Sequence, residues 1–204
     1  SANGWFDWEL FSVEVPKRRS DSVYVESDEG VRPGTTAEGL AGLRPVFQKD
    51  GIVTAGNAST LSDGASAVLV ADSEFAEEQG WETLATIEDY VTSGVEPARV
   101  MAAPIPAINQ LLERNDLSVG DVDVFEHNEA FASASCAVAK GVGIQDEKFN
   151  LHGGAISLGH PLGASGTRCL ITMLGVMRRL DATTGIVTLC LGGGNAVAML
   201  VRRP

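Results

Sequence analysis

Lysine is scarce in this chain. Among 204 residues there are only four, Lys17, Lys49, Lys140 and Lys148, and 15 basic residues face 27 acidic ones for a formal charge of −12. That balance argues against a basic groove for nucleic acid. Cysteine and histidine are rarer still, with three of each. Cys136, Cys169 and Cys190 form no CxxC pair and leave an odd count, which argues against a disulfide framework or a zinc knuckle. With so few histidines and no clustered His/Cys/Asp spacing, a protein-built metal site is not expected. No apolar run reaches the roughly 18–20 residues that a membrane span needs. The opening Ser1-Ala2-Asn3-Gly4-Trp5 also lacks the basic and apolar regions of a secretory signal. The expectation is a soluble, cytoplasmic protein with neither a nucleic-acid nor a membrane partner. Its first residue is Ser rather than Met, which fits a piece of a longer chain.

Against these absences, 44% of the residues are hydrophobic, enough for one sizeable core. The acidic excess has two readings. One is an ordinary acidic enzyme; the other is a halophilic, salt-adapted surface whose self-repulsion is screened by salt. Glycine is plentiful at 23 and clustered, as where backbone turns tightly or approaches a ligand closely.

Residues 1–50 look irregular, a layer wrapped over a core. Ala65–Val70 reads as a short apolar strand, and Asp72 as the cap of a helix reaching about Gly80. Leu84–Val91 alternates as a strand does. Pro104–Arg114 carries Ile108, Leu111 and Leu112 at helical spacing behind a proline start. Val122–Phe125 predicts a strand and Glu129–Lys140 a helix. Ser165 is a candidate cap for the longest helix, with Arg178 and Arg179 at its C-terminal end. Gly185–Leu191 and Ala196–Val201 are β-rich runs joined through Gly192-Gly193-Gly194-Asn195, a hairpin signal. Together these elements predict an α/β layered domain over residues 84–204.

Three constellations fall where strands end, the place where open α/β sheets put their chemistry. In His127-Asn128-Glu129-Ala130-Phe131-Ala132, Asn128 either caps the following helix or holds an oxygen on which negative charge develops. Five glycines fall within the fourteen residues Gly153–Gly166, with His160-Pro161 among them. Such a loop suits a thin ligand such as a pantetheine arm, while His160 by itself also fits a satisfied buried histidine. A phosphate-cradling loop is disfavoured, because the GxxxxGK[ST] lysine is absent and GxGxxG does not fit the spacing. Cys190 ends an apolar strand, where cysteine is commonly an inert small hydrophobe. The three glycines that follow bare backbone N–H groups of the kind that build an oxyanion hole. Cys136 and Cys169 fit the apolar faces of helices.

The segments NEAFA, GGAISLGHPLGASG and CLGGG, in this order, resemble the thiolase family; so does Val53–Ser59 followed by Ser62-Asp63-Gly64-Ala65. The resemblance covers essentially the whole chain, the first thirty residues least. It implies the C-terminal half of a five-layer αβαβα fold, a mixed sheet covered by helices. Residues 1–83 would then be the remainder of a loop domain and the end of the N-terminal domain, and 84–204 the C-terminal domain. It implies Claisen condensation of acyl-CoAs or thiolysis of 3-ketoacyl-CoA, with coenzyme A thioesters as substrates and no separate cofactor. His160 would take the proton of a nucleophilic cysteine in the missing N-terminal half, and no position here corresponds to that cysteine. Cys190 would be the acid/base at the α-carbon or leaving thiol, working as a thiolate in an electropositive setting. Asn128 would hold a water beside His160, and the Gly192 N–H would bind the tetrahedral oxyanion. Ser59, Phe47, Ala55 and Phe131 match positions lining the pantetheine site. The complete protein would be a dimer or tetramer, and the isolated chain inactive. The alternative is a non-catalytic CoA-binding or assembly half that needs a separate N-terminal polypeptide.

Overall fold

Alternation along the last two strands builds the centre of the molecule. In the computed structural model, which describes residues 3–204, β5 (Thr184–Leu191) and β6 (Asn195–Arg202) form an antiparallel hairpin. Ala196, Ala198 and Leu200 point to one apolar layer and Val197, Met199 and Val201 to the other, the period of two that a strand imposes. β3 (Thr86–Gly94) pairs antiparallel with β6, and β4 (Val124–His127) pairs parallel with β5. The result is a mixed four-stranded sheet in the order β3-β6-β5-β4.

Helices cover both faces. α3 (Pro104–Arg114) lies against β3 and β6, with Ala107, Ile108, Leu111 and Leu112 inward. α4 (Ala132–Val142) packs beside it and ends at Gly143 in the left-handed conformation. On the other face, after the single turn of α5 (Ala155–Leu158), α6 (Ser165–Leu180) crosses β4 and β5, burying Cys169, Met173, Val176 and Met177. Among the described residues no helix is long and apolar enough to cross a membrane.

The first eighty residues are not wholly irregular. They contain a small hairpin, β1 (Val13–Val15) with β2 (Val23–Val25), and two short helices, α1 (Ala37–Ala41) and α2 (Ser73–Glu78). Asp72 caps α2 as expected, accepting from the Glu74 and Phe75 amides. The strand expected at Ala65–Val70 is absent: no described segment pairs with it, and Leu69 and Val70 are exposed. Cys136 is also exposed, whereas Cys169 is buried, so only one of the two helical cysteines belongs to the core. Between these short elements, residues 57–61 run along the edge of the larger domain and hold its two central loops, as described next.

Candidate active site

Asn128 is the first residue beyond β4. The parallel register sets His127 opposite Thr188, and the Asn128 amide donates to the Thr188 carbonyl at 3.1 Å. Asn128 is therefore carried to the same sheet end as Cys190, two residues past Thr188 on the neighbouring strand. Its side chain is buried and does not cap α4, whose N-cap residue is Phe131 without a side-chain bond.

His160 reaches that side chain from the glycine-rich loop. Gly159 adopts φ +93°, a left-handed turn that side-chain-bearing residues seldom make. The turn lets the His160 amide donate to the Thr60 carbonyl at 2.9 Å, and Leu61 bridges the same residue. The imidazole is held at both ends. Its Nδ1 lies 2.5 Å from Ser165 Oγ, and its Nε2 lies 3.3 Å from Asn128 Nδ2. Ser165 Oγ donates its single proton to the Pro161 carbonyl at 3.1 Å, so it accepts from His160 Nδ1–H. Nε2 then presents a lone pair toward the amide nitrogen. Burial, reinforced by the nearby Arg168 charge, lowers the His160 pKa below its ordinary value. The ring is neutral with its lone pair on Nε2, as a general base requires, and the weak 3.3 Å contact from the Asn128 amide must give way when Nε2 takes a proton.

Ser165 was expected to cap α6. Ala164 occupies the cap position instead, and Ser165 sits inside the first turn with its hydroxyl turned to the histidine.

Cys190 is half-buried, with Met101 Sδ at 3.9 Å from its sulfur. Burial pushes its thiol up. No cation bonds to it among the described residues, so the electropositive setting expected of a thiolate is not found and the group stays protonated at neutral pH. Gly192 opens the exposed turn to β6, and the Asn195 amide donates to its carbonyl at 3.3 Å. Gly194 is held at φ +95°, tight against Val95 and Pro97, where a Cβ would collide with backbone.

The segment 57–61 assembles the remaining candidates. Ser59 donates through both its amide and its hydroxyl to the Ala130 carbonyl, at 3.1 and 2.9 Å, and Ala58 bridges Phe131. Phe131 meets Phe47 edge to face, with ring centroids 6.1 Å apart. Ala55 lies exposed in the tight turn from Thr54 to Asn57, and no backbone hydrogen bond joins it to the other three.

Beneath Asn128 lies a pair that sequence reasoning passed over. Arg168 Nη1 donates to Glu126 Oε1 at 3.1 Å, with the carboxylate fully buried. Burial raises the Glu126 carboxyl against the opposing pull of Arg168. A signal was available in α6: Arg168 interrupts the face that carries Ser165, Cys169 and Thr172, where a charge needs a buried partner.

The chain belongs to the thiolase family. The family model for the thiolase C-terminal domain matches residues 81–203, and that for the thiolase N-terminal domain matches residues 1–74. A probable acetyl-CoA acyltransferase of Staphylococcus epidermidis is 46% identical over 201 residues, covering 98% of this chain and 50% of the relative. The acetyl-CoA acetyltransferase of Cupriavidus necator is likewise 46% identical, over 200 residues, at 98% and 51% coverage. Among solved structures, the Bacillus anthracis acetyl-CoA acetyltransferase superposes with a TM-score of 0.96 at 40% identity, covering 100% of this chain and 51% of that one. Human mitochondrial 3-ketoacyl-CoA thiolase in complex with CoA gives 0.90 at 38% identity, with 100% and 50% covered. The fold is thus the α/β thiolase fold, and the chain spans about half the length of these relatives.

Proposed function

We propose that this chain supplies the acid–base half of a thiolase site, for Claisen condensation of acyl-CoAs or thiolysis of a 3-ketoacyl-CoA. The observation that carries the reading is the His160 ring, fixed by Ser165 with Nε2 directed at the Asn128 amide. His160 Nε2 takes the proton of a nucleophilic cysteine provided by an N-terminal thiolase half. Once protonated, it binds the thioester or enolate oxygen together with a water held by Asn128. Cys190, protonated at rest, is ready to act as the acid toward the α-carbon or the departing thiol. As a base it requires a neighbour that lowers its pKa, such as bound substrate or the completing half. The Gly192 N–H serves the tetrahedral oxyanion, and Ser59, Phe47, Ala55 and Phe131 line the pantetheine path. No cofactor beyond the CoA thioesters is invoked. The CoA bound to the human neighbour supports acyl-CoA and CoA as ligands. The completed protein is a cytoplasmic homo-oligomer in this reading, serving fatty-acid or related acyl-CoA metabolism.

In this reading the acyl acceptor comes from the N-terminal half, with Cys190 given the acid–base task; the burial of Cys169 and the exposed position of Cys136 on α4 support it. The test is single-turnover cleavage of acetoacetyl-CoA by CoA. The 204 residues alone should show no release above background. Joined to the N-terminal half of the Cupriavidus necator relative, they should cleave it catalytically. Activity of the chain alone, or none in the joined protein, would overturn the proposal.

A further inference from the structure

We infer that Arg168, anchored by Glu126, is a positioning residue that sets which end of the Asn128 amide faces His160. The inference rests on the acyl-transfer reading for its consequence, and on geometry for its content. A carboxamide has a donor end and an acceptor end of nearly equal shape, so its neighbours decide the orientation. On the far side of Asn128, two donors converge on Oδ1: Arg168 Nη2 at 3.5 Å and Cys169 Sγ at 3.9 Å. A guanidinium has no lone pair to offer and cannot lose its charge in a protein. The Cys169 thiol, pushed up by burial to about 12, keeps its proton at neutral pH. The guanidinium therefore excludes the –NH2 end from that side, and the thiol, still protonated, is able to donate to the oxygen there. The amide must turn its Nδ2 to His160 Nε2, where a donor stabilises the lone pair of the Nδ1–H tautomer.

Glu126 makes the arrangement rigid. It lies two residues before Asn128, at the end of β4, and is fully buried. By accepting from Nη1 at 3.1 Å it fixes the guanidinium plane, which leaves Nη2 directed at Asn128. One planar fork thus spans two side chains two residues apart, one on β4 and one just beyond its end. An ammonium on a flexible stem cannot reproduce that fork. If the amide were reversed, a carbonyl oxygen would face Nε2. That would favour the Nε2–H tautomer, which is unable to accept the nucleophile's proton.

The test uses the chain completed with the Cupriavidus necator N-terminal half, 15N-labelled at histidine. In the wild-type protein, ring 15N shifts should report His160 as the Nδ1–H tautomer. R168K keeps the charge for Glu126 but loses the second arm of the fork. It should move His160 toward the Nε2–H tautomer and lower kcat by roughly 10–100-fold with KM little changed, as for groups that orient a functional side chain. The double variant R168M/E126Q leaves no buried charge unpaired and should give the same tautomer shift, which covers the case in which R168K folds poorly. A wild-type tautomer in both variants would overturn the inference, whatever happens to stability or rate. Absence of acyl transfer in the wild-type completed protein would instead strike the functional proposal, and the tautomer would still judge Arg168.

Discussion

Asn128 and His160 come from loops 32 residues apart, yet the amide nitrogen of one lies 3.3 Å from Nε2 of the other. Two different structural devices bring them together. The parallel pairing of β4 with β5 delivers Asn128 to the sheet end. The chain at residues 57–61, pinned to Ala130 and to His160, ties the two loops side by side.

Ser165 is the hinge of this relationship, because its hydroxyl selects the tautomer. Replacing it with Ala in the completed protein should lower kcat/KM by about 10-fold, the scale of one hydrogen bond to a group that becomes charged. Ser165→Thr should restore most of the loss if the methyl is accommodated. Steady-state kinetics of both variants check this, and an unaltered S165A would show that the ring is oriented by other means.

The rate should follow a broad plateau in pH. Burial and the Arg168 charge hold His160 below its ordinary pKa, so the limb on which the base becomes protonated lies on the acid side of about 6.5. Burial holds Cys190 above its ordinary value, so its ionisation appears only on the alkaline side of about 8.5. A kcat/KM profile of the completed protein measures both limbs. An acid limb above neutrality would remove His160 as the group observed.

His127 makes the fold sensitive to acid. Its ring is buried, bonded to Ser135 at 2.9 Å and stacked on Phe149, and burial lowers its pKa to about 4. Above about 6.5 the ring is neutral in both folded and unfolded states, and its environment carries no proton-linked cost. Between about 6.5 and 4 only the unfolded chain gains the proton, so stability falls with pH, by about 3 kcal/mol in total. Denaturant unfolding of the completed protein across that range should show this slope, and His127→Met should flatten it. An identical slope in the variant would assign the acid sensitivity elsewhere.

The charge of −12 predicts a salt response. Screening of acidic self-repulsion should raise the melting temperature of the completed protein between low and molar salt. A melting point that stays level would mark the surface as ordinary rather than salt-adapted.

Much of the fold was legible because its local signals agree with its packing. α3 runs over Pro104–Arg114 as expected, since proline marks its start and its apolar residues fall on one face. The β5–β6 hairpin follows from alternation on both sides of a glycine turn. β4 was harder to read. Glu126 and His127 suggest a strand already ended, but both are fully buried, each held through one side-chain atom, by Arg168 and Ser135, with Asn150 on the His127 backbone, while Glu126 Oε2 and His127 Nε2 have no partner among the described residues. Ala65–Val70 fails in the opposite direction, because an apolar run becomes a strand only when a partner lies beside it. In the site, residue types and loop positions were visible. The Ser165 and Arg168 contacts were not, because a hydroxyl at a helix start looks like a cap and an arginine on a helix looks like surface.

The most direct test of the account is the rate of acetoacetyl-CoA thiolysis by the completed protein carrying His160→Ala or Cys190→Ala. Each should lose about 10²–10⁴-fold in kcat, the contribution of a positioned acid–base group, while CoA binding is retained. A loss below tenfold in either variant would contradict the roles given to these two side chains.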